Sequence, residues 1–441
     1  MLGINRKLQE LEDNGILIKV GLVGAGQMGR GMVSQIENMV GMRVVITADI
    51  QIENVVHAYT KSGVADADII KTDNPDEAAE AVRNGKVVAT TDAQLVTSLT
   101  EVDVVVDATG VPDIGAKIAW DAILNKKHIV MLNVEADVTI GPLLKKMADA
   151  SGVVYTGTAG DEPGAIMELY DFADALGFEV VALGKGKNNP LNLDANPDTA
   201  AEEAARKGAS AKMLASFQDG TKTMVEMTAV ANATGFLPDK PGMNGFVSDV
   251  KGLPEIFKLK EDGGQVGNKK IVEYINGIAP GVFAIVASEK DEVNHEMQYL
   301  SMGEGPNYVL YRPYHLTSLE TPISIARAFI YNEATIAPWK GLQAETVTVA
   351  KTDLDEGQFL DSIGGFTVYG SILSAAEAKE QNALPMGLVD RNVQLKRAIK
   401  KGEIISYDDV VQTKESTIWR LRRMQDDTFA VKTAKPNPVK A

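Results

Sequence analysis

The sequence has no cysteine. That excludes disulfides, thiolate nucleophiles and cysteine-ligated zinc. Histidine is scarce. The four residues His57, His128, His295 and His315 stand too far apart to form an HExxH-type metal motif. No apolar run reaches the ~18 residues that a membrane-spanning helix needs. The opening segment, MLGINRKLQELEDNG, is charged and helix-like, unlike a secretory leader. Basic side chains are outnumbered, 44 against 60, for a net charge of −16. This balance speaks against a nucleic-acid partner, which would need a basic face. It leaves phosphorylated small molecules open, because a few local Lys or Arg can hold a phosphate inside an acidic protein. The expectation is a soluble cytoplasmic enzyme with a small-molecule substrate and no nucleic-acid or membrane partner.

What the first half does have is alternation. Short Val- and Ile-rich runs at 18–24, 43–49, 87–90, 103–109, 128–133 and 153–156 are separated by helical stretches. Such runs read as parallel strands buried on both faces. The βαβα order predicts an α/β fold with a doubly wound Rossmann domain. The polar stretch 50–86 is expected to add helices. Residues 141–152 are expected to form one crossover helix, with Pro142 near its start. From about 160 Gly, Pro and Asn become frequent, as in GDEPG (160–164) and GKGKNNP (184–190). That change predicts a second, α+β domain with long loops. Within it 281–289 and 306–315 read as strands, and 318–331 as a helix. The final stretch is a β-rich unit in which TVTVAK, FTVYGSI and MGLVD are strand-like. The expected domains are 1–158, 159–345 (with about 305–345 packing back on the first) and 346–441.

The strongest local signal is Gly24-Ala25-Gly26-Gln27-Met28-Gly29, placed between a strand and a helix. Such glycines allow a tight turn, close approach of a pyrophosphate and close helix–strand packing. The helix start supplies free N–H groups for the phosphates. Asp49, about twenty residues on at the end of the second strand, suits ribose hydroxyls and repels a 2′-phosphate, favouring NAD over NADP. Its plainer alternative is capping of the next segment. Thr109 and Gly110, at the end of the fourth strand, leave room beside a dinucleotide, although Gly and Pro there also make a turn. Asn133 and Glu135 follow another strand at the same sheet edge, where ligands bind in open α/β sheets. Asp161 and Glu162 sit on a Gly-flanked loop. Adjacent carboxylates there can ligate a hard cation or move protons. Lys185 and Lys187 share one face of a strand, and Asn188 follows them. Two like charges on one face suggest an anion between them, or else two solvated lysines. Lys222 and Glu226 are i,i+4 neighbours on a helix, a pair that is most simply a surface ion pair. His315 reads as a core histidine.

Several of these segments belong together. MLNVEADVTIGP (131–142), GDEP (160–163), GKGKNNPLN (184–192), DGTKTMVEMTAVANATG (219–235) and RPYHLTSLE (312–320) resemble the deoxyxylulose-phosphate reductoisomerase-like proteins, which are structurally related to homoserine dehydrogenase. KKGEIISYDD (400–409) resembles the end of a SAF domain. The resemblance implies a dinucleotide-binding domain, a catalytic and dimerisation domain, and a C-terminal SAF-like module. It implies conversion of 1-deoxy-D-xylulose 5-phosphate to 2-C-methyl-D-erythritol 4-phosphate, by isomerisation and then NADPH-dependent reduction. It also implies that Gly24, Gly26 and Gly29 hold the pyrophosphate and that Asn133, Glu135 and Asp161 lie near the reacting carbons. Lys185, Lys187, Asn188, Lys222 and Glu226 would line the substrate pocket. Vicinal oxygens in an isomerisation call for a Lewis acid, so Mg²⁺ or Mn²⁺ on Glu135, Asp161 and Glu162 is expected. A homodimer or homotetramer is expected by analogy. Two other readings stay open. One is a homoserine-dehydrogenase-like enzyme acting on an amino or hydroxy acid, and the other is a non-catalytic dinucleotide sensor.

Overall fold

The structure, a computed structural model, describes residues 3–429. The first unit holds seven strands: β1 (Ile18–Val23), β2 (Met42–Ala48), β3 (Ile69–Lys71), β4 (Val87–Thr90), β5 (Val104–Asp107), β6 (His128–Met131) and β7 (Tyr155–Gly157). All pair in parallel, in the order β3-β4-β2-β1-β5-β6-β7. The Val- and Ile-rich runs become buried strands because helices cover both faces. Chain direction across the sheet reverses between β1 and β5, and ligands bind at such switch points. The 50–86 stretch supplies the helices Ile52–Lys61 and Pro75–Arg83, but also the unexpected edge strand β3. Only three residues long and preceded by Asp66 and Asp68, β3 carries almost no periodicity to read.

A correction concerns the crossover helix. It runs Val134–Ser151, so Pro142 lies in its middle and not near its start. Asn133 sets the start, its side chain accepting from the Ala136 N–H at 3.2 Å. Proline in a helix interior removes a donor and disturbs the ladder. Here the side-chain amide of Gln425 bridges the next rung. Gln425 Oε1 accepts from the Leu143 N–H (3.1 Å) and its Nε2 donates to the Thr139 carbonyl (3.1 Å).

The second unit is built on β8 (Glu179–Lys187), β9 (Leu237–Pro238), β10 (Phe246–Val247), β11 (Ile271–Asn276), β12 (Val282–Ala287) and β13 (Asn307–Arg312). The order is β10-β11-β8-β12-β13, with β9 also on β11. β8 is parallel to β11 and antiparallel to β12. Opposite β12 the ladder skips Val181, a bulge that keeps Val180 and Leu183 on one face and Val181 and Ala182 on the other. The helices Glu162–Ala175 and Thr221–Thr234 cover the first of these faces. The helix Thr321–Tyr331 then returns to the first unit, where Ile325 and Ala326 join the core under β1 and β2.

Two antiparallel pairs follow, β14 (Ala344–Ala350) with β15 (Val368–Ser374) and β16 (Val393–Leu395) with β17 (Val410–Gln412). MGLVD, expected as a strand, forms a short helical turn over Met386–Leu388, with Met386 and Leu388 turned into the core. The helix Thr417–Phe429 closes the described chain and packs against the helices Pro112–Leu124 and Val134–Ser151. Apolar side chains of this β-rich unit, Leu354, Leu384 and Trp419 among them, share one continuous core with Ile118, Ile140 and Leu144 of those helices. Residues 430–441 of the expected 346–441 domain, and the first two of the expected 1–158 domain, lie outside the described residues.

Candidate active site

The glycine loop joins β1 to the helix Gln27–Glu37, whose cap is Gly26. Gly24 takes φ +103°, a conformation that L side chains rarely adopt. A side chain on Gly29 would start 1.9 Å from the Gly24 carbonyl oxygen, so the helix can lie this close to the strand only without one. Gly26 is different, because nothing lies within 4 Å of where its Cβ would stand. That open space beside the free N–H groups of a helix start fits a pyrophosphate. Asp49 ties the loop down: its Oδ2 accepts from the Ala25 N–H (2.8 Å) and its Oδ1 from the Gln51 N–H (2.9 Å) and Asn54 (3.2 Å). Asp107 Oδ1 accepts from both the backbone N–H (2.9 Å) and the hydroxyl (2.7 Å) of Thr109, fixing the turn that carries Gly110. Asn133 is wholly buried. Beyond capping its helix, it donates to the Val111 carbonyl at 3.0 Å, so its amide serves the loops of the sheet edge.

The charged cluster is assembled from distant segments. Glu135 stands in the first turn of the helix Val134–Ser151, and Glu162 in that of Glu162–Ala175, just after Asp161. Carboxylates are favoured at such helix starts. Lys185 comes from β8, and Lys222 and Glu226 come from successive turns of Thr221–Thr234. Lys185 is 4% exposed. Its Nζ donates to Glu162 Oε1 at 2.5 Å and also to Glu226. Lys222 does not pair with Glu226 as the i,i+4 spacing suggests; it donates to Glu135 at 2.6 Å. Lys187 leaves the cluster, and its Nζ donates to the Phe217 carbonyl at 2.5 Å. The two alternating lysines therefore reach separate partners, Lys185 the carboxylates and Lys187 a backbone carbonyl.

Burial raises the cost of every charge here, and the neighbours decide which groups keep theirs. Burial pushes the Glu162 carboxyl up, but the Lys185 ammonium and His315 outweigh it and hold Glu162 well below the usual range. Burial and the Glu162 charge push Glu226 up to about 7. The same two causes, in the same order, push Asp161 well above the usual carboxylate range. Burial lowers Lys185 and Lys222, but their carboxylate partners overcome it and both stay firmly protonated. Lys187, with burial and Lys185 against it, falls to about 8. The cluster thus offers fixed ammonium donors beside carboxyls that can take or release a proton near neutrality.

A cavity of about 630 Å³ joins the two halves. Gly26, Gln27, Met28, Thr109 and Gly110 line it from the dinucleotide side. Glu135, Asp161, Glu162, Asn188, Lys222 and Glu226 line it from the charged side. Lys185 and Lys187 stand behind that wall. His315, read as a core residue, lines the cavity instead, with Nε2 3.5 Å from Glu162 Oε1 and Nδ1 3.3 Å from the Gly160 carbonyl. Its signal was present, a histidine just after a strand in RPYHLTSLE, but no local pattern separates that from a core histidine. Lys212, Ser362, Leu388, Val389 and Ser416 also line the cavity, and sequence reasoning passed over all of them.

Carboxylate oxygens of Asp161, Glu162 and Glu226 lie within 4.8 Å of one another. This differs from the metal-ligand set Glu135, Asp161 and Glu162 expected from sequence. The Lys185 ammonium already bonds two of the three, so the donor set as arranged does not fit a divalent cation.

Residues 24–156 match the family model of the homoserine dehydrogenase NAD binding domain, and residues 160–321 that of the catalytic domain of oxidoreductase DRL. No curated protein matches the sequence. Among solved structures, the chain is similar to scyllo-inositol dehydrogenase from Lactobacillus casei with bound NAD(H) and scyllo-inositol. That match has 13% identity and a TM-score of 0.41, and covers 74% of this chain and 93% of that one. It is also similar to DOX-P reductoisomerase in complex with magnesium, at 16% identity and a TM-score of 0.37, covering 71% and 69%. With its dinucleotide-binding and oxidoreductase domains meeting at one cavity, the chain is an NAD(P)-dependent oxidoreductase.

Proposed function

We propose that the enzyme reduces the carbonyl of a small phosphorylated sugar to the corresponding polyol, in a reaction of the kind that converts 1-deoxy-D-xylulose 5-phosphate to 2-C-methyl-D-erythritol 4-phosphate. The observation that carries this reading is the shared cavity, which sets the glycine loop opposite the Lys222–Glu135 pair and the Asp161–Glu162–Glu226 carboxyls. The oxidoreductase DRL catalytic-domain match over 160–321 supports the reaction class. Bound at the glycine loop, a nicotinamide dinucleotide would supply the hydride. Lys222, partly exposed to the cavity, donates a hydrogen bond to the substrate carbonyl oxygen and gives it a proton as negative charge develops there. Glu226 or Asp161 moves the second proton. An isomerisation before reduction would use the same groups: a carboxylate takes the proton of the hydroxyl beside the carbonyl, the carbon bearing that hydroxyl becomes the new carbonyl as its C–C bond to the rest of the chain shifts to the old carbonyl carbon, and Lys222 protonates the old carbonyl oxygen. Lys185 holds Glu162 and Glu226 in place and stands where a cation would bind, so no step is routed through Mg²⁺ or Mn²⁺.

Asp49 supports a preference for NAD, because a 2′-phosphate beside its carboxylate would be repelled. We read the unit from β14 onward as the SAF-like module, and its two short antiparallel pairs support that reading. A second reading rests on the homoserine dehydrogenase match over 24–156, which favours an amino or hydroxy acid as substrate. The test follows nicotinamide absorbance with NADH and NADPH side by side, offering 1-deoxy-D-xylulose 5-phosphate and, separately, the oxidation of homoserine with NAD⁺ and NADP⁺. Turnover of the sugar phosphate, faster with NADH, is expected. Turnover of homoserine alone would move the assignment to the second reading. The variant K222M should lose about 100- to 10,000-fold in kcat while binding NADH as tightly as before. Normal turnover in K222M would remove Lys222 from its role.

A further inference from the structure

Two lysines line the cavity, Lys222 and Lys212, and among the described residues no arginine does. Lys222 has Glu135 as its counter-ion and faces the reacting carbonyl. Lys212 has no carboxylate within ion-pairing distance among the described residues; its Nζ donates to the Ser362 hydroxyl at 2.6 Å. The nearby carboxylates are engaged elsewhere. Asp361 accepts from the N–H groups of Phe366 and Thr367 and from the Thr367 hydroxyl. Asp390, which lines the cavity, accepts from the backbone and side-chain amides of Asn392. The placement of Lys212 is costly on its own. It sits in the first turn of the helix Ala211–Gln218, where the helix dipole disfavours a cation. Burial lowers its affinity for a proton, and Arg391 adds to that while Asp361 opposes it.

Ser362 carries a cost of its own. Its φ is +104°, a left-handed backbone that a serine seldom adopts. The loop lies hard against the helix at Gly364, where a Cβ would stand 2.0 Å from the Lys212 carbonyl oxygen, so only glycine allows this approach. Strained backbone held by its surroundings tends to gather at ligand clamps. A half-buried cation without an ion-pair partner, a hydroxyl held against it by strained backbone, and a cavity wall shared by both call for the same thing, an anionic group.

We propose that Lys212 and Ser362 form the subsite that holds the phosphate of the substrate, with the C-terminal unit contributing the hydroxyl. The proposal rests on the reductive reading above and deepens it. It makes the C-terminal unit part of the substrate site and not an appendage.

The experiment titrates inorganic phosphate into the full-length protein saturated with NADH, by calorimetry. Wild type, K212M and S362G are compared, with acetate as the carboxylate control. Phosphate should bind wild type, and K212M should weaken it about 10- to 100-fold. S362G should weaken it several-fold while its melting temperature holds or rises, because glycine relieves the strained φ. A merely structural serine would not separate affinity from stability in this way. Equal phosphate binding in wild type and K212M, no phosphate binding to wild type, or acetate binding as tightly as phosphate would overturn the subsite. Turnover distinguishes the two proposals. An unchanged KM for 1-deoxy-D-xylulose 5-phosphate in K212M would overturn the subsite and leave the reductive reading standing. Phosphate binding lost in K212M, with no turnover of that sugar in wild type, would uphold the subsite and discard the substrate.

Discussion

At the scale of single residues, the site works by dividing like groups into unlike roles. Glu162 and Glu226 share one ammonium, yet the field of Lys185 and His315 keeps the first ionised while burial pushes the second up to about 7. This has a consequence for stability. A carboxyl raised in the folded state favours folding most at pH below its ordinary value near 4.5, and that contribution is lost as pH climbs through about 7. Wild type should therefore lose thermal stability between pH 4.5 and 7 relative to E226Q, whose amide does not titrate. Parallel melting curves for the two proteins across that range would show Glu226 ionised throughout. The same group should set an ionisation near pH 7 in kcat, absent from E226Q. None of this was legible from the Lys222–Glu226 spacing. The i,i+4 pair predicted a surface contact, and Lys222 instead reaches Glu135 because the first turn of another helix is packed against it.

At the scale of elements, the glycine loop separates two functions that one motif carries. Gly29 is a packing glycine and Gly26 a ligand glycine, as the space around each shows. G29A should destabilise the protein by about 1–3 kcal/mol through overpacking, measured by urea unfolding. G26A should unfold at the wild-type midpoint yet lose NADH affinity, measured by nucleotide fluorescence. If G26A binds NADH normally, the pyrophosphate does not lie against this loop. Both glycines were legible in the sequence, because the motif lies between a strand and a helix. The helix Val134–Ser151 was legible only in part. Pro142 argued for a start, and nothing near it in the chain announced that Gln425, from far along the sequence, would bridge the rung beside it.

At the scale of the whole molecule, the helix Thr417–Phe429 locks the β-rich unit to the dinucleotide-binding unit. Trp419 Nε1 donates to the Leu388 carbonyl at 2.9 Å. The Ile418 N–H donates to Asp113 at 2.9 Å, in the first turn of the helix Pro112–Leu124 where it lines the cavity. Arg422, 5% exposed, holds Glu345 with both terminal nitrogens of its guanidinium. Removing one partner of such a pair leaves a buried charge uncompensated. R422M should therefore cost about 3–5 kcal/mol in urea unfolding, and removing the charge from both sides with R422M/E345Q should cost less than the single change. An additive double variant would show that the pair is not coupled. Because this helix also bridges the Pro142 break, damage to it should reach the helix that carries Glu135.

What the sequence determined by itself was local. The strand runs, the glycine loop and the helix starts follow from neighbouring residues, since backbone geometry and short-range periodicity set them. So six of the seven strands of the first sheet, and the residues of the dinucleotide loop, could be read in advance. The tertiary structure alone decided the pairings: which lysine meets which carboxylate, that His315 faces the cavity, and that Ser362 stands against Lys212. Those contacts join residues up to 155 positions apart. No local pattern encodes them, because they are fixed by how two sheets and a terminal helix bury their apolar faces together.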